Sequence, residues 1–260
     1  MIEIRQLSKT YRGNDGADTL ALSETSLDVG AREIVTIVGP SGCGKSTLLR
    51  MVAGLAPPST GSVAIAGQPV TAPRTGTGVV FQASTLLPWA CVLDNVLFPA
   101  RIAGRRTPAL VARARELLRL SGLADFEQAM PHQLSGGMRQ RATICRALLL
   151  DPDVLLLDEP FGALDALTRE EMTVELLNLW QRAPLTILFV THSINEAVLL
   201  GDRVVVMSPR PGRVEAVIDI DLPRPRPERV EDSPAFVGYA RQVRELIFGQ
   251  RAARSTEVQP

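Results

Sequence analysis

A short apolar strand that runs straight into a glycine-rich turn, and from there into a helix, constrains this 260-residue chain more than any other feature. The strand spans Glu33 to Val38. The turn reads Gly39-Pro40-Ser41-Gly42-Cys43-Gly44-Lys45-Ser46-Thr47, and the helix is expected from Lys45 to Gly54. This is G-x-x-x-x-G-K-[ST] in the strand-to-helix setting that makes the pattern specific. Its glycines let backbone N–H groups approach phosphate oxygens, and the helix N-terminus adds a favourable field. Lys45 is placed to reach the β- and γ-phosphates, and the Ser46 hydroxyl to ligate magnesium. A nucleoside triphosphate with Mg2+ is the expected ligand. Lysine usage sharpens the point, because Lys9 and Lys45 are the only lysines among 28 basic residues. A compact ammonium on a flexible stem suits a buried phosphate contact better than a forked guanidinium does.

Two further motifs narrow the reading. Leu134-Ser135-Gly136-Gly137-Met138-Arg139-Gln140 is a second glycine turn opening a helix, but it carries no lysine. Its uncovered N–H groups form a second anion site, while a plain helix N-cap is the bland role for the same residues. Val154 to Leu157 then forms an apolar strand that ends on Asp158 and Glu159. A carboxylate at the carboxyl end of a parallel strand lies in the crevice where such folds bind ligands. Asp158 is expected to hold magnesium and Glu159 to polarise an attacking water.

The surrounding pattern supplies the architecture. Ile2, Ile4 and Leu7, then Leu20, Leu22 and Leu27 after the turn-rich Gly13-Asn14-Asp15-Gly16, read as antiparallel strands. Short strands are expected at Ser62 to Ala66 and Gly78 to Phe81. From Pro88 to Leu150 the spacing becomes helical, most clearly at Leu110 to Leu118 and Met138 to Leu149. Strands return at Val154 to Leu157, Thr186 to Val190 and Arg203 to Met207, separated by helices at Ala166 to Gln181 and Ser193 to Leu200. Such alternation implies a parallel sheet with helices on both faces. The fold class is therefore α/β: a P-loop NTPase (RecA-like) core, an antiparallel β subdomain, and a helical subdomain inserted at about 88–150. Residues 1–222 are expected to form the ATPase domain. Residues 223–260 form a proline- and arginine-rich extension, helical to about Phe248 and disordered at its last residues, with regulation and surface padding as its alternative roles and padding the favoured one.

Charge and composition exclude several classes. The 28 basic and 28 acidic residues cancel, so no general positive field draws the chain onto nucleic acid. Cys43, Cys91 and Cys145 have neither zinc-site nor disulfide spacing, which fits a reducing cytoplasm. The first residues lack the pattern of a signal peptide, and no apolar run approaches the roughly 20 residues of a membrane helix. Any membrane role must come through a partner.

Ser135-Gly-Gly-Met-Arg-Gln-Arg141, Asp158-Glu-Pro-Phe-Gly-Ala-Leu-Asp165 and Thr191-His192, in this order, resemble the ATP-binding subunit of an ABC (ATP-binding cassette) transporter. The resemblance covers nearly everything from Ile2 to about Ile220. It implies a head-to-tail homodimer in which Ser135, Gly136 and Gly137 close over ATP held by the partner's phosphate loop. It further implies that Tyr11 stacks on adenine, that Gln82 senses magnesium and water, that His192 contacts the γ-phosphate, and that Asp165 links the two sites. A lone surface tyrosine is the competing reading of Tyr11. Two departures stand out: Arg32-Glu33 where most relatives carry Gly-Glu, and Ser193 after the histidine where Asp is common. Neither touches the reacting atoms.

Leu86 to Leu93, with Trp89, matches the region that in this family receives a coupling helix from the permease; core packing is the alternative role for these residues. Leu-Pro-Trp followed by Val-x-Asp-Asn-Val, Met-Arg-Gln-Arg, and Ser208-Pro-Arg-Pro-Gly-Arg213 look most like the nitrate, sulfonate, taurine and bicarbonate importer group. That resemblance implies a permease, indirectly a solute-binding protein, and the cytoplasmic face of a bacterial plasma membrane. Thiamine-precursor importers, exporters and soluble ABC proteins share parts of the pattern. A thiol reagent on Cys43 is expected to block nucleotide binding, because the residue lies within the phosphate loop.

Overall fold

The structure is a computed structural model that describes residues 1–13, 17–227 and 229–257, with side chains described as far as residue 249. In chain order the strands and helices are β1 (Ile2–Arg12), β2 (Asp18–Val29), β3 (Ile34–Val38), α1 (Lys45–Val52), β4 (Thr60–Ile65), β5 (Gln68–Pro69), β6 (Thr77–Val80), α2 (Val92–Ile102), α3 (Pro108–Leu120), α4 (Gly136–Leu148), β7 (Val154–Asp158), α5 (Ala166–Arg182), β8 (Thr186–Val190), α6 (Ile194–Leu200), β9 (Arg203–Met207), β10 (Val214–Asp219) and α7 (Pro234–Glu257). Two compact units result: residues 1–74 with 186–260, and residues 75–185.

In the first unit, β2, β1, β4 and β5 form an antiparallel sheet. Ile2, Ile4 and Leu7 point inward from β1, as the period of two requires. The expected turn at Gly13–Gly16 falls mostly on residues 14–16, outside the described residues. The second sheet of this unit is built around β3, which pairs in parallel with β8 on one side and β9 on the other. Every residue of β3 and of β8 is buried, the signature of parallel strands covered on both faces.

One strand departs from the parallel expectation. β10 runs antiparallel to β9, with Val217 opposite Val205. The reason is the brevity of the Ser208–Arg213 connection: a return of this length can form only a hairpin, whereas a parallel partner needs a crossover of a dozen residues or more.

In the second unit, β6 and β7 are a parallel pair, with Val80 opposite Leu157. Helices α2, α3 and α4 lie between them in sequence, and their starts follow local chemistry. Thr107 caps α3 by accepting from the Leu110 N–H, with Pro108 in the first turn. Ser135 caps α4. Cys145, buried on α4, has its thiol pushed up to about 12 by burial, so it is inert at neutral pH.

The segment after Leu222 buries Phe236, Val243 and Ile247. Helix α7 starts at Pro234 and continues to Glu257, beyond the Phe248 expected from spacing; residues 258–260, where disorder is expected, lie outside the described residues. Ahead of the helix, Arg224 and Arg226 are folded inward. Burial, with the charge of Arg224 beside it, lowers the Arg226 guanidinium to about 10, so it stays protonated at neutral pH.

Candidate nucleotide site

The first unit gathers the phosphate loop and the histidine at one edge. β3 ends at Val38 and leads into Gly39, while β8 ends at Val190 beside Ile37. The Thr191 N–H donates to the Ile37 carbonyl at 3.1 Å, so His192, exposed at the surface, leaves the sheet next to the loop. This is the carboxyl edge where α/β sheets bind ligands.

Within the loop, Gly44 has φ +97°, a conformation closed to L side chains, and a Cβ there would also lie 2.7 Å from the Ala21 carbonyl oxygen. Gly44 is the N-cap of α1. No side chain caps that helix, and its first turn contains no acid. A glycine at the cap and a first turn without acid suit the approach of an anion to this helix start. Lys45 is 5% exposed. Its ammonium donates to the Gly39 and Pro40 carbonyls at 2.9 and 3.2 Å, laying the side chain along the loop. Ser46 and Thr47 are half-buried in the first turn, and Ser41 and Gly42 are exposed. These features fit a nucleotide phosphate chain.

Cys43 contributes to the loop through its backbone. It is 1% exposed, and its sulfur lies 3.0 Å from where a Cβ on Gly39 would stand. The side chain points into the protein, and only its backbone belongs to the phosphate-facing loop. Burial restricts a thiol reagent's access to this sulfur, so the expected block requires labelling that the folded chain resists. Instead, the folded chain should react first at half-buried Cys91, with Cys43 and Cys145 reacting only on unfolding. Counting labelled thiols by mass with and without denaturant checks this, and rapid labelling of Cys43 in the folded chain would contradict it.

Behind the loop stands the Ser208–Arg213 turn, whose structural part sequence reading did not anticipate. A Cβ on Gly212 would lie 1.7 Å from the Cys43 carbonyl oxygen. Gly212 also exchanges backbone hydrogen bonds with the β2 edge, donating to Ala21 at 3.3 Å and accepting from Ser23 at 2.7 Å.

Tyr11 lies near the end of β1, opposite Thr19, and is 40% exposed. The ammonium of Lys9 stands 5.1 Å from its ring centroid, a cation–π contact worth roughly 0.5–1 kcal/mol at an exposed site. Both departures noted in the sequence have local explanations. Arg32 has φ +60°, the left-handed region that a glycine enters without cost, and its N–H is held by the Thr186 hydroxyl at 3.0 Å. Glu33 feels burial, which raises its carboxyl, but the Arg203 hydrogen bond and the Gly30 N–H outweigh it and hold the group below the usual range. Ser193 caps α6 by accepting from the Glu196 N–H at 3.3 Å, a task an aspartate performs equally well.

The second unit carries the carboxylates. Asp158 ends β7 and is buried, and Glu159 follows half-buried. Gln82, exposed, comes two residues after the neighbouring strand β6 ends. Glu159 has φ +46° although it is not glycine and precedes a proline. Such strain costs on the order of 1–3 kcal/mol and persists where a site requires it. The Gly162 N–H closes the turn onto the Glu159 carbonyl at 3.1 Å.

The glycine turn of α4 is packed tightly within this unit. Ser135 and Gly136 are exposed, whereas Gly137 is buried and a Cβ on it would meet the Thr168 methyl at 2.6 Å. The Thr168 hydroxyl donates to Asp165 at 2.7 Å, and its N–H donates to the same carboxylate at 3.0 Å. Asp165 is thus the N-cap of α5. These two bonds hold its carboxyl below the usual range.

Asn95, fully buried on α2, shapes the preceding loop. Its amide donates to the carbonyls of Leu87, Ala90 and Cys91 at 2.9 to 3.1 Å, and its oxygen accepts from the Leu87 N–H at 2.6 Å. The loop so pinned leaves Trp89 75% exposed. Core packing does not account for this tryptophan.

Known proteins share this chain's sequence and fold. The ABC transporter family model matches residues 22–162. The chain is 45% identical over 260 residues to the taurine import ATP-binding protein TauB of Rhizobium johnstonii, covering 98% of this chain and 99% of that protein. It is 50% identical over 219 residues to the protein of the same name from Burkholderia thailandensis, covering 84% of each. Among solved structures, a dimeric ATP-binding cassette in a post-hydrolysis state with ADP and Pi superposes with a TM-score of 0.74 at 33% identity, covering 85% of this chain and 99% of that one. A second dimeric cassette of a bacterial ABC transporter gives 0.75 at the same identity and coverage. With a family model over more than half of its length and relatives of 45–50% identity covered over most of theirs, this chain belongs to the ABC transporter family as an ATP-binding, ATP-hydrolysing subunit.

Proposed function

We propose that this chain drives uptake of a small sulfonate, of which taurine is the type, through a separate permease, as a homodimer on the cytoplasmic face of a bacterial membrane. The observation that carries the reading is the 45–50% identity, over most of the chain, to proteins named for taurine import. Dimeric cassettes among the structural neighbours support assembly with a second copy. No described helix is long and apolar enough to cross a membrane, so a transport role requires a membrane partner. Exposed Trp89, held out by buried Asn95, is an anchor of the kind interfaces favour, and we assign it to the permease contact. A solute-binding protein would deliver the cargo on the far side.

In the proposed cycle, Tyr11 stacks on adenine, and the N–H groups of Gly39 to Thr47 with Lys45 hold the phosphates. Ser46, Gln82 and Asp158 offer a hydroxyl, an amide oxygen and a carboxylate, donors suited to a hard cation. Magnesium, when bound, neutralises charge on the phosphates. Glu159 accepts the proton of the attacking water, and His192 donates to a γ-phosphate oxygen. Ser135, Gly136 and Gly137 complete the site of the second copy, and Asp165 lies at the dimer junction.

Reconstitution tests the reading. The chain, its genomically adjacent permease and the cognate binding protein should show ATP hydrolysis raised several-fold by taurine or another alkanesulfonate, and little by nitrate or bicarbonate. Stimulation by an unrelated solute alone would refute the sulfonate assignment.

A further inference from the structure

We propose that Arg226, together with Arg224, is a positioning residue for the γ-phosphate contact of His192, fastening the far end of the helix that begins just after it. This rests on the reading of His192 given above. A helix leaves its last carbonyls without intrahelical partners, and they are commonly closed by a left-handed glycine or a basic residue in the last turn. Helix α6 has neither: Gly201 at its C-cap is extended (φ −69°, ψ 145°), and the last turn contains no basic residue. The extension supplies the closure from a distance. Arg226 donates to the carbonyls of Leu199 at 3.0 Å and Gly201 at 2.6 Å. Arg224 donates to Leu200 at 2.6 Å and to the Asp202 carboxylate at 2.7 Å.

The same clasp reaches the strand that feeds the phosphate loop. The second oxygen of Asp202 accepts from the Ile34 N–H of β3 at 2.8 Å. Midway along α6, the Thr36 hydroxyl of β3 donates to the Ala197 carbonyl at 3.1 Å. At its start, Ser193 caps the helix, Thr191 bonds buried Glu196, and the Ser193 N–H donates to the Thr191 hydroxyl at 2.9 Å. A seven-residue helix is only about 10 Å long. Fixing its far end to the base of β3, its middle to Thr36 and its start to the Thr191 turn leaves the residue before its cap little freedom to tilt away from the loop. The two arginines thus act through α6, without touching nucleotide.

The test is a double-mutant cycle on the full-length chain: Arg226→Ala and His192→Ala, singly and combined. Turnover is followed with radiolabelled ATP over hours, so that slow rates stay measurable, and is expressed per nucleotide site counted by titration. Arg226→Ala should lower kcat about tenfold with the KM for ATP changed less than about twofold, the pattern of an interaction realised in the transition state. In the His192→Ala background the same change should cost less than about twofold, because the two residues act on one element. Arg226→Lys should recover part of the rate. Should Arg226→Ala fail to fold, the same cycle run with Arg226→Lys, losing about threefold, carries the test. Equal losses in both backgrounds, a proportional rise in KM, or unchanged kcat would overturn the clasp. Normal turnover by His192→Ala alone would bring down the γ-phosphate role of His192 itself, and the proposal with it.

Discussion

Glu159→Gln should bind ATP, hydrolyse it roughly 10²–10⁴-fold more slowly than the wild type, the range for loss of a positioned general base, and accumulate as a dimer. The substitution preserves shape while removing the proton acceptor. It also preserves the strained backbone at φ +46°, so the turn between β7 and α5 has no cause to rearrange, and thermal stability should change little. Removing one negative charge from each copy weakens repulsion against the triphosphate, which favours the closed dimer. Single-turnover hydrolysis and light scattering with ATP measure both effects. Turnover within a few-fold of normal would show that another group accepts the proton.

Gly137→Asp should leave ATP binding to the phosphate loop within a few-fold of normal and lower hydrolysis by at least about 10²-fold, the scale of losing a preorganised donor to developing charge. Two causes combine. In the proposed dimer the new carboxylate adds negative charge beside a phosphate of the second copy, and its Cβ would stand 2.6 Å from the Thr168 methyl, closer than packed carbons approach. Thr168 cannot move alone, because its hydroxyl and N–H hold Asp165, so the start of α5 shifts with it. Gly137→Ala separates the two effects by adding bulk without charge, and should show a smaller loss. Hydrolysis by Gly137→Asp at the wild-type rate would rule out this helix start as part of the catalytic assembly.

Much of this fold could be read from residue order, for physical reasons that differ between elements. β3, β7, β8 and β9 announce themselves as short apolar runs because parallel strands are covered on both faces. Helix starts at Ser135, Asp165 and Ser193 carry side-chain caps. The candidate site is legible because phosphate chemistry needs glycines, a lysine and carboxylates at fixed spacings along single segments.

What escaped notice depends on partners distant in sequence. Val214–Asp219 alternates too weakly to stand out, and its antiparallel direction follows from the short turn before it. Arg224 and Arg226 stand in a Pro-Arg-Pro-Arg-Pro run that breaks regular structure and shows no task until the carbonyls of α6 are seen beneath them. Cys43 lies in a solvent-facing motif, yet its side chain turns inward; motif membership specifies the backbone path and leaves the direction of each side chain open. The Arg-Pro-Gly of residues 210–212 did carry a usable signal, because a glycine directly after proline in a strand connection marks a tight turn.

The hydrogen at Gly212 has a consequence for affinity. Since the Cys43 carbonyl fills the space a methyl group would need, the glycine-rich loop is moulded during folding against a distant hairpin. Its backbone freedom, large for so many glycines, is surrendered when the chain folds and need not be given up again on meeting nucleotide. Grip on the triphosphate is therefore partly a property of that hairpin's own rigidity, and changes that soften it would weaken binding without altering any group that meets the phosphates.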